Sequence, residues 1–445
     1  MKAGAASITI NNDIGTLIQG AGDPDQRVEE IRDDLEANAL YLTDGTTEIL
    51  FVSCDLVGLE TERVRRYKNA MADRADIPSD SIIIGCSHTH AGPVVSHTNY
   101  SKPVDEDYSQ RLKKRLCDVA MDAVSSASPA RIGWGTGHAR LGYNRRVCYA
   151  NGTHTMYREG GRDDEFTGLE GPDDTECLAL AAFDEEGKIK AVLHHGTGHP
   201  ASFYGGNVLS ADFPGVARQL VRESYGKVPV LFFNGSEGDI AMRQQEHPQV
   251  TPDNREAQIT RFGSALAGET LRIIHEMQPQ DDMVIFHCRR EHEYPVRQPK
   301  EEVVEEGRKV LERIDNGADV RGKEAIFAWG PVSLVEKYGE DGTDQLAFHV
   351  VIIGDLVIAT HPCELFCQYQ LDIKRRRPAS QTFVFGITDG GGGYVPTLSG
   401  AIGGGYSGTP FAWARFSPEV GCQLVDEIAA MAYKLWSKSR KENDV

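Results

Sequence analysis

Ser81-Ile82-Ile83-Ile84-Gly85-Cys86-Ser87-His88-Thr89-His90-Ala91-Gly92-Pro93 sets an apolar, β-branched run directly against a turn that carries two histidines. Such a run, bounded by Ser, Gly and Pro, reads as a strand buried on both faces. The same arrangement recurs. Gly198-His199-Pro200-Ala201-Ser202, Asn234-Gly235-Ser236-Glu237-Gly238-Asp239, His361-Pro362-Cys363-Glu364 and Gly390-Gly391-Gly392-Gly393-Tyr394-Val395-Pro396 each follow an apolar stretch. In α/β proteins, ligands gather beyond the carboxyl ends of strands, so these loops are expected to converge on one site.

Working outward, short β-rich runs alternate with longer amphipathic stretches, which predicts an α/β fold with a mixed central sheet or sheets flanked by helices. Strands are expected at 48–54, 81–86, 191–196, 228–233, 348–353 and 382–387. Helices are expected at 60–74, 106–126, 213–225, 254–277, 301–314 and 417–436, from apolar residues at helical spacing. The polar segments 158–174 and 300–343 read as surface loops, a lid or a small insert, and nothing resembles an interdomain linker or a repeat. The expectation is one domain over 1–445 with loop insertions.

The chain has 445 residues, 40% apolar and 25% charged, enough for a large core without stapling. Its nine cysteines form no CxxC pair, and Cys54, Cys86 and Cys177 sit in apolar strands as small hydrophobes. A formal charge of −19 argues against nucleic acid and anionic membranes as partners. No apolar run approaches the roughly 18 to 20 residues of a membrane span, and the opening residues lack a signal peptide's apolar stretch. The reading is a cytoplasmic enzyme with a small-molecule substrate and no stable membrane association, open to forming a homo-oligomer.

On an extended backbone, His88 and His90 project to one side, so one metal could take both imidazoles, or one could ligate while the other acts beside it; the bland reading is two polar turn residues. Adjacent His194 and His195 point to opposite faces of a strand, and a solvated role is preferred for His194. His199, past the strand, is the better ligand candidate. Asp212 opens a helix and either caps it or orients a ligand histidine. Glu364 supplies a carboxylate, its bland role being a helix cap. Tyr394 follows glycines pliable enough to pass close to a ligand, as does the Gly403-Gly404-Gly405-Tyr406 stretch. Arg145 offers a guanidinium to a carboxylate, an amide carbonyl or a developing oxyanion. HExxH, GxSxG, GxxxxGK[ST] and a GxGxxG opening a βαβ unit are all missing, which removes the commonest peptidase, esterase, kinase and dehydrogenase readings.

In their order and wording these motifs resemble the catalytic domain of the neutral/alkaline, non-lysosomal ceramidases over nearly the whole chain. The resemblance rests on Lys2-Ala3-Gly4-Ala5-Ala6 with Ile8-Thr9-Ile10, on Ser53-Cys54-Asp55-Leu56-Val57-Gly58-Leu59, and above all on His88-Thr89-His90-Ala91-Gly92-Pro93. It implies a ceramidase-like fold and one Zn2+ per chain held by His88, His199, Glu364 and Tyr394. The spacing to Ser210 favours His199 over His195. His90 and Arg145 fall where the family has further active-site residues, and Asp212 and Asp239 would stand behind the ligands. Two departures bear on substrate. Gly238-Asp239-Ile240-Ala241 lacks the family's active-site serine, and the chain ends without the C-terminal β-sandwich domain of the secreted enzymes. The function expected is a zinc-dependent hydrolase that cleaves an amide of a small soluble substrate with metal-activated water. A zinc-dependent esterase or lactonase, or a catalytically silent metabolite-binding protein, are the alternatives.

Overall fold

The computed structural model describes residues 1–19, 25–96, 102–246, 254–376 and 378–443. One unit of structure occurs three times. In the first, strands β1 (Lys2–Thr9), β2 (Glu36–Thr43) and β3 (Glu48–Cys54) form an antiparallel meander, helix α1 (Thr61–Ala75) crosses over, and β4 (Ile82–Cys86) adds parallel to β3 before α2 (Glu106–Ser125). In the second, β5 (Arg131–His138), β6 (Glu176–Phe183) and β7 (Ile189–Gly196) are followed by α3 (Asp212–Tyr225), parallel β8 (Val230–Asn234) and α4 (Arg255–Glu276). The third runs through β9 (Ile285–Pro295), a helical pair α5 (Glu301–Asp315) and α6 (Lys323–Tyr338), β10 (Thr343–Ile353) and β11 (Leu356–Thr360). It continues with the short β12 (Cys363–Leu365), α7 (Cys367–Arg375), β13 (Gln381–Phe385) parallel to β11, the short β14 (Gly393–Val395) and a long C-terminal helix, Pro418–Asn443. The mixed α/β architecture expected from the sequence is present, with three larger sheets, one in each unit, among the described residues.

Each second hairpin turns at a glycine of positive φ: Gly45 (φ 91°), Gly187 (φ 84°) and Gly354 (φ 59°). Before two of these glycines an aspartate closes the turn, Asp44 Oδ1 accepting from Thr46 N (2.8 Å) and Asp184 Oδ1 from Lys188 N (2.7 Å).

Strand periodicity explains how the units assemble. Ile49 and Phe51, Leu231 and Phe233, and Leu356, Ile358, Phe383 and Phe385 face one shared core between the three sheets. Their neighbours Leu50 and Val52, Val230 and Phe232, and Val357 and Ala359 face each unit's own helices. With both faces buried, these strands are continuous apolar runs rather than alternating ones. Phe233 and Phe385 stack at 4.7 Å between centroids, with Phe51 edge-on to both.

Both segments read as surface loops, a lid or a small insert carry structure, and α5 stands where a helix was expected at 301–314. Within 158–174, Phe166–Leu169 pairs as a strand with Val147–Tyr149. Most of 300–343 is the helical pair α5 and α6, inserted between the paired strands β9 and β10. Pro331 inside α6 and the helix's weak amphipathicity conceal it from a periodicity argument. No helix among the described residues is long and apolar enough to cross a membrane.

Candidate metal centre

The loops after β4, β7, β8 and β11 meet where the units join. Asn234 ties the junction together: its Nδ2 donates to Ser87 O (3.2 Å) and Gly198 O (2.7 Å), and its backbone oxygen accepts from Gly386 N (2.8 Å). His90 N donates to Pro200 O (3.0 Å), joining the first unit's loop to the second's, and Gly238 N donates to Leu365 O (3.0 Å), joining the second to the third. Strand β12 lies parallel to β14 with Glu364 opposite Tyr394. His88 holds a φ of 71°, a left-handed conformation that costs a non-glycine residue about 1 to 3 kcal/mol and persists where the surroundings impose it.

In that junction, His88, His199, Glu237 and Glu364 each present an atom within 4.8 Å of the others, as do His88, His90 and His199. The Nε2 of His90 lies 3.3 Å from that of His88 and 3.1 Å from that of His199, and His88 Nε2 is 3.4 Å from Glu364 Oε2. The far ring nitrogens settle the tautomers. Nδ1 of His88 faces the Val57 carbonyl, and Nδ1 of His199 faces the Glu237 carbonyl at 3.4 Å. A carbonyl can only accept, so both Nδ1 atoms donate and both Nε2 lone pairs point into the cluster, the orientation that metal-ligating histidines adopt.

Electrostatics differ across the cluster. Burial works against protonation of His88, but Glu364 and Glu237 outweigh it and raise its pKa. Burial, His88 and Arg145 hold His90 well below the usual imidazole range; burial, Arg145 and His88 do the same for His199. Burial, reinforced by Glu364, pushes the Glu237 carboxyl upward. Neither oxygen of Glu237 has a hydrogen-bond partner, nor does Glu364 Oε2.

Arg145 Nη2 donates to Gly238 O (2.9 Å) and to the Tyr394 hydroxyl (3.1 Å), while its buried Nε has no partner. The Tyr394 phenol is raised well above its usual range by burial and by Glu364 beside it. Arg146 faces away and pins the glycine-rich segment, with Nη1 on Gly404 O (2.8 Å), Nη2 on Gly400 O (3.1 Å) and Glu170 as its counter-ion.

The two aspartates stand further back. Asp239 accepts from Asn144 Nδ2 (2.7 Å) and Cys367 N (2.6 Å), fixing the chain on either side of Arg145 and Glu364; burial pushes its pKa to about 7. Asp212 accepts from Ser202 N and Phe213 N, both at 2.8 Å, so it shapes the loop after His199 and bonds to no imidazole among the described residues. His194, expected to be solvated, is instead fully buried in β7 with Nδ1 3.2 Å from Thr270 Oγ1, because that strand is covered on both faces. His195 points the other way, stacked on Phe385 with Nε2 on Val384 O (3.0 Å). Glu237 is the site residue that sequence reasoning passed over. Its signal was an acidic residue between glycines after an apolar strand, in a loop already singled out.

Neither a protein-family model nor a curated protein sequence matches this chain. Among solved structures it is similar to the neutral ceramidase from Pseudomonas aeruginosa, with a TM-score of 0.72 and 14% identity over 98% of this chain and 74% of that one. A ceramidase complexed with C2 gives a TM-score of 0.71 and 14% identity over 98% of this chain and 75% of that one. Likeness at this identity speaks to architecture, and the chain has a ceramidase-like fold.

Proposed function

We propose that this chain is a metal-dependent hydrolase that cleaves an amide bond, with His88, His199, Glu364 and Glu237 holding one divalent cation. The observation that carries the reading is the Glu237 carboxylate, fully buried with neither oxygen hydrogen-bonded, facing two imidazoles and a second carboxylate. An uncompensated buried charge costs several kcal/mol, and a cation removes that cost. Two Nε2 lone pairs and two carboxylates suit zinc among the common divalent ions. In this set Glu237 joins the two histidines and Glu364, and Tyr394, the fourth ligand that the family resemblance implies, is read instead as a hydroxyl that accepts from Arg145.

A cation held there supplies Lewis acidity, acidifying water and drawing electron density from a carbonyl. The protein's own groups do the rest. Neutral His90 takes a proton from the attacking water at Nε2 and returns it to the departing nitrogen. Arg145, with one N–H free, and the Tyr394 hydroxyl face the oxygen that gains charge. No serine is needed at Ala241. The choice of an amide is supported by the solved neighbours, whose names say that they act on ceramide, itself an amide.

Elemental analysis of protein purified without an affinity tag tests this. About one zinc per chain is expected, lost in His88→Ala and Glu364→Ala together with turnover of an amide panel. A well-folded wild type without metal, or one whose turnover survives chelation, overturns the reading.

A further inference from the structure

Two cavities open on either side of the candidate metal centre. The larger, about 790 Å³, reaches it at His88 and Glu364, and the smaller, about 450 Å³, reaches it at His199. Both lie in the range that takes up drug-sized molecules. Given the hydrolase reading above, on which this inference rests, the scissile bond lies between them, so each cavity receives one half of the substrate.

Their linings differ. The larger is walled by the rings of Trp329, Tyr338 and Trp413 and by Leu59 and Leu334, part of that wall coming from the inserted helix α6. Its ionic groups are mostly spent: Arg415 holds Asp344 (2.7 Å), Glu62 holds Arg65 (2.9 Å), and exposed Glu336 and Lys337 balance one another. That surface suits an apolar group, ring stacking included. In the smaller cavity, Arg158 is held by Asp163 (2.6 Å) and Glu159 holds Arg162 (2.7 Å). Arg243 is the charged lining residue without an ion pair among the described residues, and it is exposed to the cavity's solvent. A guanidinium so placed recognises a carboxylate.

We propose that the substrate is an amide joining an apolar group to a carboxylate-bearing group, with the apolar arm in the larger cavity and the carboxylate at Arg243. Either half can be the acyl half. An N-acyl amino acid and the half-amide of a dicarboxylic acid share this chemistry.

Binding to the protein as purified is measured first with two probes of equal length that have no amide to cleave, phenylhexanoate and phenylhexanol. Phenylhexanoate is expected to bind about tenfold tighter, an advantage lost in Arg243→Ala and largely kept in Arg243→Lys, whereas Trp413→Ala weakens both probes alike. Equal affinity for the two probes, no binding of either, or an Arg243→Ala variant that keeps the preference overturns the proposal. Turnover is then measured with N-phenylacetylglycine and N-benzylsuccinamate; whichever is cleaved identifies the acyl half. The expected carboxylate preference without turnover of either sinks the hydrolase reading and leaves the two-armed site standing. Turnover of neutral amides as fast as of their acids, unchanged in Arg243→Ala, does the reverse.

Discussion

Replacing Glu237 with Gln should change stability in opposite directions according to whether a cation is present. Glu237, fully buried, and Glu364, partly buried, place oxygens within 4.8 Å of each other. At an effective dielectric of about 20, two such charges repel by about 3.5 kcal/mol. Escape by protonation costs nearly as much, since keeping a proton at neutral pH on a carboxyl that ordinarily loses it near 4.5 costs about 3.4 kcal/mol. His88 offsets part of the repulsion, so Glu237→Gln is expected to stabilise metal-stripped protein by about 2 kcal/mol. In the presence of zinc the order reverses, because the variant has given up a charged donor and should bind the ion about a hundredfold more weakly or worse. Denaturant unfolding with chelator and with excess zinc, alongside competition with a chromophoric chelator, reads both effects. A variant less stable than wild type in chelator, or one that keeps wild-type zinc affinity, refutes the assignment of Glu237 to the cation.

Arg145→Met should retain the metal while turnover falls about a hundredfold, because it removes donors to the developing oxyanion and leaves the ligands in place; a fall in metal content instead would make Arg145 a scaffold residue. Asp389 is buried between Lys68 and His349 Nε2 (2.7 Å), and these partners hold its carboxyl well below its ordinary 3.8 despite burial. Its contribution is therefore present in full above about pH 4 and lost as pH falls towards the depressed native value. Asp389→Asn should cost about 3 to 5 kcal/mol at neutral pH and flatten the acid limb of a stability profile, which urea midpoints between pH 3 and 7 would show. A Cβ at Gly238 would sit 2.3 Å from Glu364 O, so Gly238→Ala should part the second unit's loop from β12 and lose both stability and metal, seen together in thermal unfolding and elemental analysis.

The strands that bear the site were the easy part of the sequence. Ile82–Cys86, Ile189–Gly196 and Leu356–Thr360 are buried on both faces, and continuous apolar character marks them without help from context. Because chemistry sits at their carboxyl ends, His88, His199 and Glu364 could be picked out, and the structure brings these three together. Glu237 was harder, since a glutamate between glycines in a loop has many ordinary uses and only tertiary packing shows its oxygens to be without partners. The threefold repetition was invisible for another reason. It is maintained by backbone pairing and turn geometry, which many side chains satisfy, so Ile82–Cys86 and Gln381–Phe385 occupy equivalent places with few residues in common. Helix α7 spans only nine residues, too short for periodicity to declare itself.

The repeated unit offers corresponding positions to unlike tasks. Immediately after the third strand of each unit come Asp55, Thr197 and His361, all buried, and each is spent on holding its neighbours: Asp55 on Arg218 of α3 (2.7 Å), Thr197 on Gln370 of α7 (2.9 Å) and His361 on Ser236 (2.9 Å). The proposed metal ligands come only a few residues later, at His199 and Glu364, and in the first unit not until His88. The frame is thus symmetrical in its mortise joints and asymmetrical in its tools. A lineage built on such a frame can exchange the tool carried by one arm while the joints keep all three arms in place, so chemistry can drift between relatives faster than shape.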